Sequence, residues 1–217
     1  MSEFNFESGK TTLIKLISKI YNNYDGEILI NNIDLKKVTK DSYYKNLGVL
    51  FQEFNTYPQL SVEENIIIGD TNKKQQDESI KDAAKKADAT SFINDYEKKF
   101  KQLLMPNIKN GIRPSWGQWQ KIAIARFFYR DAPLVIFDEP TAAIDAVSEY
   151  KIFNRIYKFF KGKTVILISH RFSTVRNADK IIVLDKGKIA EVGNHDELIK
   201  NNGVYAHSFN LQAEGYK

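Results

Sequence analysis

The stretch that most constrains this chain is Leu134-Val135-Ile136-Phe137-Asp138-Glu139-Pro140, where an apolar run ends abruptly in two adjacent carboxylates. Four bulky apolar residues in succession read as a strand buried on both faces of a parallel sheet, since a half-exposed strand would alternate. Carboxylates at the carboxyl end of such a strand stand where open α/β sheets bind their ligands. Taken alone, the pair is equally compatible with a solvated strand end. A second apolar run closes further on in Ser169-His170. The choice between the two readings rests on the company these residues keep along the chain.

That company begins with Ser8-Gly9-Lys10-Thr11-Thr12, running directly into Leu13-Ile14-Lys15-Leu16-Ile17. Gly-Lys-Thr opening a helix is the end of a phosphate loop. Backbone N–H groups at the helix start face the anion, the lysine reaches the outer phosphates, and the threonine hydroxyl ligates magnesium. The tripeptide alone is weak because it recurs by chance, but upstream of Asp138-Glu139 it becomes strong. Ser115 and Gln118 fit a capping box ahead of the helical Ile122-Ala123-Ile124-Ala125-Arg126, which is an ordinary helix start. The same serine with Gly117 and the bare amides of a helix N-terminus would also form a second phosphate site.

With Gln52 just after Gly48-Val49-Leu50-Phe51, the order is phosphate loop, glutamine, serine-glycine-glutamine, Asp-Glu, Ser-His. This order resembles the nucleotide-binding domain of ATP-binding cassette (ABC) transporters over nearly the whole chain. Gly117 to Lys121, Ile168 to Val175 and Asp185 to Ile189 look like the bacterial peptide, lipid and drug exporters, in which this domain follows a membrane-spanning half. The resemblance implies a P-loop NTPase of the α/β class: a RecA-like parallel sheet core, an inserted helical subdomain carrying the signature motif, and a small antiparallel β portion. It implies one ABC ATPase domain over 1–217, with 1–57 and 129–217 as the core and 58–128 as the helical subdomain.

The same resemblance assigns roles residue by residue. Lys10 would hold the β- and γ-phosphates, within a loop completed by Ser8, Gly9 and Thr12. Thr11 would ligate magnesium, Gln52 would touch the magnesium or the attacking water, and Asp138 would hold the metal through water. Glu139 would act as general base and His170 would contact the γ-phosphate. Ser115, Gly117 and Gln118 would serve the ATP of a partner subunit, and Asp145 matches the acidic end of the loop that crosses the dimer. ATP and Mg2+ are therefore the implied cofactors. The implied partners are a transmembrane domain, fused or separate, and a second nucleotide-binding domain, identical or different, at the cytoplasmic side of the cell membrane.

Composition agrees with this reading. The chain has 217 residues and is 42% hydrophobic, enough for one domain with a real core. No stretch approaches the roughly twenty apolar residues of a membrane-spanning helix, and the polar first residues with Glu3 do not read as a signal peptide. The absence of cysteine excludes disulfides and thiolate metal sites and fits a cytosolic protein. The net charge of +5 would suit nucleic acid or anionic membrane, but the lysines of 36–46, 73–86 and 98–109 are dispersed as solvated faces, so no nucleic-acid partner is expected.

The periodicity predicts an antiparallel strand pair over Gly26 to Leu35 and a helical stretch over about 58–128, with Gln76 to Asp95 polar and alanine-bearing. Strands are expected at 133–139 and 164–170, separated by an amphipathic helix around Tyr150 to Tyr157, which makes a βαβ unit. A hairpin over Ile181 to Val192 should turn at Lys186-Gly187, and the tail from His195 should be helical. His195 and His207 read as surface or capping residues, and Tyr43, Tyr44, Phe127, Phe128 and Tyr129 as packing residues.

The chain departs from the family pattern in two places. Phe4 and Glu7 stand at glycine positions of the phosphate loop, where a phenylalanine cannot freely take positive φ and a carboxylate would face phosphate. Only nine residues precede Lys10, so the strands and adenine-stacking aromatic that usually come earlier are expected to be missing, with Met1 to Glu7 as a foreign or frayed leader. On that basis this chain should bind ATP weakly or not at all. Trp116 replaces the first of two glycines, and its indole would either crowd the partner's γ-phosphate or turn outward; Pro114 replaces a leucine. The leading expectation is the ATPase of an exporter. The alternatives are a truncated cassette acting as a non-enzymatic fragment or structural partner, and a soluble cassette ATPase working on ribosomes or DNA.

Overall fold

The computed structural model describes residues 9–74, 76–139, 145–169 and 171–214. In chain order the first elements are α1 (Lys10–Ile17), β1 (Leu29–Ile30), β2 (Ile33–Asp34), α2 (Lys40–Lys45) and β3 (Leu47–Leu50). Helices α3 (Val62–Ile67), α4 (Asp77–Lys86), α5 (Thr90–Asp95) and α6 (Trp116–Arg130) follow. Then come β4 (Leu134–Asp138), α7 (Ala146–Phe159), β5 (Thr164–Ile168) and α8 (Phe172–Val175). The chain closes with β6 (Ile181–Asp185), β7 (Lys188–Gly193), α9 (His195–Lys200) and α10 (Val204–Glu214). Contacts divide it into two compact units: a discontinuous one, Met1–Tyr43 with Ile168–Lys217, and a central one, Tyr44–Leu167.

In the central unit the sheet order is β3-β4-β5. β3 runs parallel to β4 with Leu50 opposite Phe137, so both strands deliver their carboxyl ends to the same edge. Val135, Ile136 and Phe137 are fully buried, as a strand covered on both faces requires. Helix α6 lies against this sheet and the end of α7 through aromatic contacts: Phe127 meets Phe137 of β4 with ring centroids 4.3 Å apart, and Phe128 stacks on Phe160, just after α7, at 5.7 Å. Gly69 makes the approach of α3 to α6 possible, because a Cβ there would come within 2.2 Å of the Arg126 carbonyl oxygen. Two arginines of α6 then take up loose carbonyls. Arg126 donates to the Asn65 and Asn55 oxygens at 2.9 and 3.1 Å. Arg130 donates to Leu47 and Gly69 at 2.9 and 2.7 Å, and to Tyr44.

The predicted stretch Gln76 to Asp95 is two helices. Asp88 breaks it by adopting a left-handed backbone (φ 57°), which aspartate tolerates better than most residues. The discontinuous unit carries the two expected antiparallel pairs. β1 and β2 turn at Asn31-Asn32, both at positive φ, and β6 and β7 turn at Lys186-Gly187, also both positive. These are the dihedral signs that a tight two-residue hairpin turn needs. The C-terminal tail is helical but interrupted. Asn202 takes positive φ, and the Glu191 carboxylate then accepts from the amides of Val204 and Tyr205 and starts α10 afresh. Tyr43, Phe127, Phe128 and Tyr129 are buried packing residues, and His195 Nδ1 lies 2.9 Å from the Tyr205 hydroxyl.

Candidate functional site

The discontinuous unit holds the basic half of the predicted residues at the start of α1. Gly9 is its N-cap in a left-handed conformation (φ 84°, ψ 2°), which glycine adopts without the Cβ penalty. Gly9 offers no side-chain cap and no acid lies in the first turn of the helix. Lys10, Thr11 and Thr12 follow, with both threonines exposed. The other end of α1 is tied down. Ile14 is buried, the Tyr43 hydroxyl donates to the Ile17 carbonyl at 2.7 Å, and Lys19 donates to the Leu35 and Val38 carbonyls. The Ser169 hydroxyl accepts from the Arg171 amide at 3.0 Å. Ser8 and His170 lie outside the described residues.

The central unit holds the acidic half. With Leu50 opposite Phe137, Gln52 and the Asp138-Glu139 pair leave neighbouring parallel strands at the same sheet edge. Asp138 is only 9% exposed, whereas Gln52 is exposed. Glu139, the residue after the strand end, has a left-handed backbone (φ 48°). A non-glycine residue held in that region costs on the order of 1–3 kcal/mol, a strain that concentrates at functional sites.

Helix α6 opens with the capping box that the sequence predicts. The Ser115 amide donates to Gln118 Oε1 at 2.8 Å and the Gln118 amide donates to Ser115 Oγ at 3.2 Å. The Tyr96 hydroxyl adds a second bond to Gln118 Oε1 at 3.3 Å. Burial pushes the Tyr96 phenol up to about 12, so it remains a donor at neutral pH. Gly117 lies inside this first turn. Trp116, 55% exposed, stacks on Phe54, with centroids 4.7 Å apart and planes 27° apart. Of the two orientations open to Trp116, the structure therefore takes one that packs on the loop following Gln52.

Asp145 is the N-cap of α7 and accepts from the Ser148 amide at 2.9 Å. That hydrogen bond, with a smaller contribution from the Ser148 hydroxyl and the Lys121 charge, holds its carboxyl below the usual aspartate range. Sequence reasoning missed the left-handed Glu139, the Trp116–Phe54 stack and the pairing of Lys121 with Asp88. No local pattern announces any of them.

The donor set suits the groups implied for it. Within the central unit, the amide oxygen of Gln52 and the carboxylate of Asp138 are hard donors of the kind magnesium prefers, and in the discontinuous unit so is the Thr11 hydroxyl. The uncapped start of α1 suits phosphate. Among the described residues no three His, Asp or Glu side chains gather into a protein-only metal cage.

Comparison with known proteins gives concordant results. A family model for the ABC transporter matches residues 8–142. The subtilin transport ATP-binding protein SpaT of Bacillus subtilis is 39% identical over 200 residues, which are 91% of this chain and 32% of that protein. An ATP-dependent lipid A-core flippase of Hahella chejuensis is 39% identical over 205 residues, 94% of this chain and 34% of that protein. The leukotoxin translocation ATP-binding protein LktB of a Pasteurella haemolytica-like species is 40% identical over 206 residues, 94% of this chain and 28% of that protein. The solved structure of a bacterial Atm1-family ABC exporter with ATP bound superimposes with a TM-score of 0.86 at 32% identity, covering 95% of this chain and 35% of that one. The chain thus spans about a third of the length of these relatives.

Proposed function

The chain belongs to the ABC transporter family, whose model matches more than half of it, and from that premise we propose that it is the ATP-hydrolysing cassette of an exporter. Lys10 and the first amides of α1 bind the outer phosphates, with Ser8, Gly9 and Thr12 completing the loop. Thr11, Gln52 and Asp138 would hold magnesium, which when bound would neutralise charge on the phosphates. Glu139 takes the proton of the attacking water, and His170 contacts the γ-phosphate. Ser115, Gly117 and Gln118 serve the nucleotide held by Lys10 of a second cassette, with Asp145 near the crossing point. A membrane-spanning partner or half, with the cassette on its cytoplasmic side, would convert closure into movement of a peptide, lipid or drug-like substrate. The subdomain 58–128 carries the signature helix in this scheme.

The observation that carries the reading is the placement of Gln52 and Asp138-Glu139 at one sheet edge with Glu139 in a constrained backbone. A general base contributes roughly 10²–10⁴-fold, and a glutamine keeps its shape without its basicity. In a full-length context, Glu139→Gln should therefore lower ATP turnover at least about a hundredfold while calorimetric ATP binding is retained. Turnover of that variant within about tenfold of the parent removes Glu139 from the role of base.

A further inference from the structure

A polar cluster outside the assigned residues joins α4, α6 and α7 within the central unit. Asp88, in the left-handed turn between α4 and α5, presents one carboxylate oxygen to Lys121 Nζ of α6 at 3.1 Å and to Ser148 Oγ of α7 at 3.3 Å. Its other oxygen accepts from Arg155 at 3.3 Å. Lys121 Nζ also donates to Ser148 Oγ at 3.0 Å. The Ser148 oxygen accepts from Lys121, and its single hydroxyl proton is shared between the Asp88 carboxylate and the Asp145 carboxylate that caps α7. Ser148 is 9% exposed and the Lys121 side chain 15%, so water screens these contacts only in part.

Two members of the triangle, Lys121 and Ser148, are also one step from a residue of the proposed site. Lys121 follows Gln118 by three positions on α6, on the first turn after the Ser115–Gln118 capping box. Ser148 donates its amide to Asp145, the cap of α7. Arg155 donates to the Lys85 and Lys86 carbonyls at 2.7 and 3.3 Å as well as to Asp88, which ties the end of α4 to the same point. An ion pair kept for stability alone could be exchanged for apolar packing without loss. A pair that sets the spacing of two helix starts could not.

We propose that Lys121 is a positioning residue for ATP hydrolysis: by clamping Ser148 and Asp88 together, it holds the Ser115–Gln118 cap of α6 and the Asp145 cap of α7 at one spacing. The two elements that face the second cassette then move as one piece. The inference rests on the ATPase reading above.

The test compares Lys121→Met, Lys121→Arg, Ser148→Ala and the double variant Lys121→Met with Asp88→Asn. In turnover, Lys121→Met should lower kcat about tenfold with KM for ATP within about twofold of the parent, since the lost interaction acts in the closed state. Lys121→Arg should restore most of the rate. Ser148→Ala, which strands no charge, should lower kcat in the same direction. The double variant should be no slower than Lys121→Met, because contacting residues of one network are non-additive. Additive losses, or a Lys121→Met defect that Lys121→Arg does not restore, overturn the inference. Amide hydrogen exchange in the ATP-free chain supplies an arm independent of activity. Lys121→Met should speed exchange at Ser115, Gln118 and Ser148 together by about tenfold, and unchanged exchange there overturns the inference. A parent chain without turnover would fail the ATPase reading, and the exchange arm would still decide the clamp.

Discussion

Glu139 and Asp88 both hold left-handed backbones, and Asp88 does so at the turn between α4 and α5 beside a polar cluster. Asp88 shows how its neighbours set a carboxylate: burial raises its pKa, but the hydrogen bond and charge of Lys121, with Arg155 and Lys151, outweigh burial and hold it below the ordinary range. Glu64 is lowered for a different reason, because the Ser61 amide and then the Ser61 hydroxyl donate to it at 2.7 and 2.8 Å. Lowered carboxylates stabilise the fold at pH values above their unfolded pKa, and that stability is lost as pH falls through the lower folded value. Thermal stability should hold from pH 7 to about 5 and decline from about pH 4 downward. Glu64→Gln keeps the capping-box shape of α3 without titrating. Thermal melts across pH 3–7 should show a shallower acid decline for the variant than for the parent, and equal slopes would remove Glu64 from the acid response.

At the scale of elements, α6 is the strut of the central unit. Its first turn displays the capping box, its middle uses Arg126 to tie down Asn65 and Asn55, and its last turns bury Phe127 and Phe128 against β4 and the end of α7. Phe127 also lies over Gly48 of β3, whose missing side chain leaves room for the ring. Phe127→Ala should therefore destabilise the fold by about 3–5 kcal/mol, the usual cost of emptying a buried aromatic position. Val147 on α7 is 65% exposed, so Val147→Ala should stay within about 0.5 kcal/mol. Urea unfolding of both variants checks the contrast, and comparable losses would mean that α6 is not held by this cluster.

At the scale of the whole molecule, the expected partner of the signature residues is another cassette. If Ser115, Gly117 and Gln118 bind nucleotide held by a second chain, ATP must favour association by mass action. Sedimentation of the Glu139→Gln protein should show a dimer with magnesium-ATP and a monomer without it, with Ser115→Ala shifting the equilibrium back toward monomer. A monomer under both conditions overturns the dimer. Among the described residues no helix is long and apolar enough to cross a membrane, so transport would require membrane-spanning segments supplied from outside them.

What the amino-acid order determined by itself was whatever depends on local chemistry. The apolar runs of β4 and β5, the Asn31-Asn32 and Lys186-Gly187 turns, the Ser115–Gln118 cap and the Gly-Lys-Thr helix start are all legible because period, φ preference and capping act over a few residues. The same order of motifs carried the family. Tertiary structure alone decided that Trp116 stacks on Phe54, that Lys121 meets Asp88 across 33 positions and Arg155 meets it across 67, and that β3 and β4 end at the same sheet edge just before Gln52 and Glu139. Those outcomes depend on which helix faces pack and on strand register, and nothing within one turn or one strand of the residue fixes either. The break at Asn202 belongs with them, since the carboxylate that restarts α10 comes from β7.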